Sequence, residues 1–205
     1  SPGRWEVTKT GRELYQRASR TVHDFKEIET DFMSTHAGIS GPLTISVPRE
    51  FGISSLSRLL VTFSEKYPEI QLSADFDDRL IDLERENYDF AIRITPDVDK
   101  QLISEKIGTV RHQLCAAPSY LEKYGQPTHL KDLQLHKLLY FGTVKRGTWT
   151  LISSEAKKIS NIDFNPSLNS NSGQFLLEAT LQGRGIANLP DFIFGDTLET
   201  GKLIH

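Results

Sequence analysis

Two short stretches carry residue types suited to holding a small anion. "VPREFG", residues 47–52, places Arg49 and Glu50 beside Pro48 and Phe51, directly after an alternating apolar run. "NSNSGQ", residues 169–174, sets Asn171 and Ser172 ahead of a helical pattern. A helix start exposes unpaired N–H groups and the positive end of the helix dipole, so carboxylates and other anions settle there. The same residues also serve as ordinary caps. Asn171 with Gln174 three positions on resembles a capping box, and Ser172 is the alternative cap. Both uses stay open.

Further side chains fall where a ligand wall is expected, because ligands in open α/β sheets lie beyond the carboxyl ends of the strands. Asp77 and Asp78 follow an alternating stretch, and Asp78 reads better as a cap for a helix beginning near Arg79. Arg93 alternates with Ile92 and Ile94 and so faces away from them. An arginine on a central strand takes a partner, either an acidic side chain or a ligand. Phe141 and Thr143 follow the run "KLLYFG"; Phe141 suits core packing equally well.

The elements that position these residues follow from periodicity. Residues 8–36 read as one long helix with Thr8 as N-cap. Leu14, Ala18, Thr21, Phe25, Ile28 and Phe32 recur at steps of three and four with charged flanks, a heptad seam that predicts pairing with another helix. "HAGISGP" then breaks the pattern as a hinge. From Leu43 the order becomes strand, helix, strand, helix, strand: an alternating run at Leu43, Ile45 and Val47; a helix with Leu56, Leu59, Leu60, Phe63 and Tyr67 on one face, ended by Pro68; "EIQLSA"; a short helix in "DRLIDLEREN"; and a buried strand in "DFAIRI". A second unit runs through "CAAPSYLEKYG", "KLLYFG", "TWTLIS", the helix "SGQFLLEATLQG" and the strand "GIANLP". Strands separated by helices imply parallel pairing with helices on the sheet faces.

Composition narrows the classes of function. The 205 residues are 38% hydrophobic and 25% charged, with a net charge of −3, which gives no overall basic field for nucleic acid. No apolar run is long enough for a membrane helix, and the first residues lack the apolar core of a signal peptide. The single cysteine, Cys115, excludes an internal disulfide and a multi-cysteine zinc site. A cytoplasmic protein is expected. Alternation puts Cys115 and His112 on opposite faces, which argues against a Cys–His nucleophilic pair. No G-x-S-x-G elbow, P-loop or H-E-x-x-H is present, and the six histidines lack metal-ligand spacing, so neither an enzyme, a metal site nor a cofactor is expected.

Five runs, "GPLTISVPREFG", "LVTFSEKYPEIQL", "DRLIDLERENYDFAIRI", "LCAAPSYLEKYGQPTHLKDL" and "LEATLQGRGIANLPDF", together resemble LysR-type bacterial transcriptional regulators in order and spacing. "VTKTGRELYQRAS" is similar to the junction between that family's winged-helix module and its linker helix. The resemblance implies an α/β fold of two Rossmann-like subdomains of the periplasmic-binding-protein type joined by a hinge, preceded by a long linker helix. Residues 1–7 would be a remnant of the wing and 8–36 the linker and dimerisation helix. Regulatory subdomain I would hold 41–115 plus 187–205, and subdomain II 116–186. The function implied is effector sensing and self-association, as dimer or tetramer, in a DNA-binding regulator. The effector would be a small anion or aromatic acid bound between the subdomains, with DNA contacted only through an N-terminal module outside these residues. A solute-binding protein for transport is the alternative on the same fold. In this setting Gly183 and Gly185 of "GRGIANLP" shape the exit from a helix rather than bind phosphate.

Overall fold

A computed structural model describes residues 8, 15, 39–83, 85–97, 102–152 and 159–205. The six seam positions from Leu14 to Phe32 lie outside the described residues, as does residues 1–7. The chain clusters into two compact units. One holds residues up to Ser46 with Arg58–Asp75 and Ile81–Ala91; the other holds Val47–Ser57, Phe76–Leu80 and Ile92–His205.

In the first unit the strands β1 (Gly41–Val47), β2 (Ile70–Phe76) and β3 (Phe90–Ala91) form a sheet in the order β2-β1-β3. β1 and β3 run parallel, Ile45 opposite Phe90. Helix α1 (Ser57–Lys66) connects β1 to β2 and stops ahead of Pro68, as the pattern predicts. It buries no residue fully.

Two expectations fail in the segments that follow β2. "DRLIDLEREN" forms turns among its described residues, and Leu80 is 91% exposed. Local side chains satisfy the backbone there: Asp82 accepts the Arg85 N–H and Glu86 accepts the Asp82 N–H. Such bonds compete with a helical ladder. Asn87 adds a left-handed residue at φ 56°. "DFAIRI" is a strand only at Phe90 and Ala91, with Phe90 and Ile94 each 43% exposed. Its entry is held by Asp89, whose N–H donates to Thr44 O and whose carboxylate accepts the Thr44 N–H at 2.7 Å.

The second unit carries the main core. Strands β4 (His112–Cys115), β9 (Ile186–Pro190), β5 (Leu138–Phe141) and β8 (Leu168–Ser170) lie in the order β4-β9-β5-β8. β5 is parallel to both β8 and β9, but β4 is antiparallel to β9, and β6 (Gly147–Ile152) pairs antiparallel with β7 (Ile159–Phe164). The all-parallel expectation is therefore corrected. The approach to β4 contains no crossover helix among the described residues, and parallel pairing needs a crossover.

Neighbouring residues on a strand point to opposite faces, and both faces of this sheet are apolar. Cys115, Leu139, Ala187 and Leu189 pack with Leu176, Leu177 and Ala179 of helix α3 (Gly173–Leu181). Ala116, Leu138 and Ile186 pack on the other side with Tyr120 of helix α2 (Pro118–Tyr124), Leu133, Trp149 and Ile162. The two glycines after α3 have separate tasks. Gly183 takes φ 68°, closing the helix with its N–H on Thr180 O. A Cβ at Gly185 would run into the Lys137 carbonyl, so only glycine lets β9 start against β5.

Candidate functional site

β1 leads into a helical turn, Arg49–Phe51, capped by Pro48, which continues through a π-helical stretch, Gly52–Leu56. The fit is close: a Cβ on Gly52 would stand 2.5 Å from the Phe76 ring and 2.8 Å from Val47 Cγ2. Phe51 is fixed edge-to-face on Phe192, centroids 5.3 Å apart. Packing thereby fixes the backbone that carries Arg49 and Glu50.

The start of α3 meets this turn across 122 residues of sequence. Ser172 Oγ donates to Glu50 Oε1 at 2.9 Å and accepts the Phe175 N–H at 3.3 Å. The Gln174 N–H also points to Glu50 Oε1, at 3.5 Å. Ser172, not Asn171, is therefore the N-cap. Asn171 is exposed, while Ser170 Oγ accepts the Ser172 N–H and orients the cap. Gly173 is buried, and a Cβ there would lie 2.5 Å from Ile193 Cδ1 and force that side chain to shift.

The first helical turn is treated alike. The Arg49 N–H donates to Asp78 Oδ1 at 3.1 Å, so Asp78 serves this helix start rather than one near Arg79. Asp77 donates its N–H to Val47 O and accepts the Arg79 N–H, while its other oxygen lies 3.2 Å from Arg79 Nε. The Arg79 N–H is the main reason that the Asp77 carboxyl titrates below its usual range; the Arg79 guanidinium assists and desolvation opposes. Both helix starts thus already hold a carboxylate of the chain.

The remaining predicted residues vary in their fit. Arg93 lies past the end of β3 and donates to the carbonyls of Ile92, at 2.7 Å, and Arg79, at 3.2 Å. Phe141 ends β5 opposite Ser170 and is 46% exposed, so it is available beside the α3 start rather than sunk in the core. Thr143 is exposed after Gly142. Ser170, Asp78 and Phe192 complete the arrangement. Of these, sequence reading singled out only Asp78, and for a different helix. All of the residues around Glu50 and Ser172 belong to the second unit.

Cys115 is buried, and burial pushes its thiol up to about 12, so it is an inert apolar residue at neutral pH. No group of three metal-ligating side chains occurs among the described residues. No described helix is long and apolar enough to cross a membrane.

Residues 36–205 match the family described as the LysR substrate binding domain. The chain belongs to the LysR family. A relative in Haemophilus influenzae, named as an HTH-type transcriptional regulator, is 37% identical over 97% of this chain and 68% of its own length. The HTH-type transcriptional activator TtdR of Escherichia coli is 30% identical over 97% of this chain, which spans 64% of that protein. Among solved structures, the LysR-type regulator CrgA of Neisseria meningitidis superposes with a TM-score of 0.69 at 28% identity, covering 97% of this chain and 67% of that one. Full-length AphB, the Vibrio cholerae virulence activator, gives 0.73 at 27% identity, covering 96% and 67%. These relatives are named as transcriptional regulators, which favours the regulator over the solute-binding alternative. Their regulatory domains share the two-subdomain α/β fold.

Proposed function

We propose that the chain is the effector-sensing and self-associating part of a cytoplasmic LysR-type regulator whose DNA contacts are made by a separate N-terminal module. The regulatory subdomains divide at 41–115 plus 187–205 and 116–186, and the seam from Leu14 to Phe32 joins two copies into a dimer or tetramer. The effector is a small organic acid, anionic or aromatic. It is received by Ser172 with the N–H groups that begin α3, walled by Pro48, Arg49, Phe51, Asp77, Arg93, Phe141, Thr143 and Asn171.

One observation carries this reading. The α3 start binds a carboxylate, that of Glu50, through Ser172 Oγ at 2.9 Å. A helix start that accepts one carboxylate has the donors and the dipole to accept another. An acid effector therefore enters by displacing Glu50, and that exchange gives the site two states which a ligand can bias. Scanning fluorimetry over a panel of organic acids tests the proposal. A ligand of the folded state at a hundred times its dissociation constant adds about 2.7 kcal/mol, read as several degrees in Tm. A panel in which no acid moves Tm contradicts it.

A further inference from the structure

A cleft of about 500 Å³ lies at the end of α3 opposite Ser172, where β5 and β8 begin. α3 is nine residues long, so roughly 13 Å of helix separates this end from Ser172. The cleft's polar lining is basic: Lys123 from α2, Lys137 ahead of β5 and Arg184 beyond α3, with the Ser119 hydroxyl beside them. Lys123 Nζ and Lys137 Nζ share one aromatic ring, standing 5.2 and 5.7 Å from the centroid of Tyr124. Among the described residues none of the three cations has a carboxylate partner or a side-chain hydrogen bond.

Basic residues often gather at helix carboxyl ends to satisfy free carbonyls. Here the backbone performs that task. The Gly183 and Arg184 N–H groups close α3 on Thr180 O and Ala179 O, and the Gly125 N–H closes α2 on Leu121 O. The cationic heads are left facing an open space. Gly183 lies close to Ser119 in the cleft wall, where a Cβ would stand 3.1 Å from Ser119 Oγ.

We propose that this cleft binds the phosphoryl group of a small phosphorylated metabolite, at a site separate from the effector site around Ser172. A carboxylate offers one charge and two oxygens to three cations. A phosphate monoester offers up to two charges and three acceptor oxygens, which match two ammonium groups and a guanidinium better. The cleft's remaining volume accommodates an organic group, with the half-exposed Tyr124 and Leu168 in its wall.

Titration calorimetry of the purified chain with phenyl phosphate and inorganic phosphate tests this. Phenyl phosphate should bind, more weakly as salt rises. The double variant Lys123→Ala/Lys137→Ala, and separately Arg184→Gln, should bind about tenfold more weakly or worse, the loss expected of one charge-assisted contact. These side chains are exposed, so Tm should hold. Ser172→Ala should leave phosphate binding intact, which separates this site from the effector site. Tighter binding of phenyl than of inorganic phosphate identifies an ester as the ligand, and equal binding identifies the free ion at the same site. No binding of either at millimolar concentration, binding indifferent to the lysine and arginine variants, or preference for duplex DNA over both phosphates would overturn the proposal.

Discussion

Helices α1 and α3 invert the order that sequence suggests. α1 carries the more regular apolar stripe, yet none of its residues is fully buried, and Leu59 and Val61 are 63% and 59% exposed. α3 has polar residues at Gln174 and Glu178 and still buries Gly173, Leu176, Leu177, Ala179 and Thr180. Periodicity reports that a helix has an apolar face. It does not report how completely that face is covered. α3 lies on a sheet whose Leu139, Ala187 and Leu189 face it, and that backing fixes the position of its first turn. A site on the start of α3 is accordingly held more firmly than one on α1 would be.

The largest expected effect tests that contrast directly. Leu176→Ala removes a fully buried side chain and should cost about 2–5 kcal/mol, whereas Leu59→Ala should stay within about 0.5 kcal/mol. Urea unfolding of the two variants compares them, and equal losses would erase the distinction.

Next in size is Gly185→Ala. The new methyl meets the Lys137 carbonyl, a backbone atom that cannot swing aside, so about 1–3 kcal/mol should be lost as β9 shifts away from β5. A Tm equal to that of the parent would show that the β5–β9 contact is looser than the α3 packing implies.

The smallest effect concerns His112 on β4, the edge strand of the sheet. Although the residue is partly exposed, partial desolvation lowers its pKa from 6.5, and the charge of Asp191 opposes that shift. Between the lowered folded value and 6.5 the unfolded chain binds more protons. The stabilising contribution is thus intact above about pH 6.5 and is lost as pH falls through that window. Replacing His112 with glutamine should flatten the pH dependence of ΔG there, as measured by urea unfolding at several pH values. An unchanged slope would assign it to other groups.

Much of the fold was legible because its signals are local. Alternation marked β1, β2 and β9, Pro68 and Gly183 marked helix ends, and three-four spacing marked α1 and α3. The failures involve contacts with no local signature. The antiparallel pairing of β4 depends on a partner strand some seventy residues away, and the turns after Leu80 depend on Asp82 and Glu86 competing for backbone N–H groups. The candidate site divides in the same way. Ser172 could be read as a cap from its neighbours. That Glu50 fills the same helix start, 122 positions away, could not, because spacing holds no information at that range.

Ser172→Ala, melted with and without the most stabilising acid of the panel, tests the central claim that the α3 start receives the effector. As a cap alone, Ser172 is worth about 1 kcal/mol, lost equally with and without ligand. If its hydroxyl meets the effector, the ligand-induced rise in Tm should collapse in the variant, and this is the result expected. A rise as large in the alanine variant as in the parent would contradict the assignment.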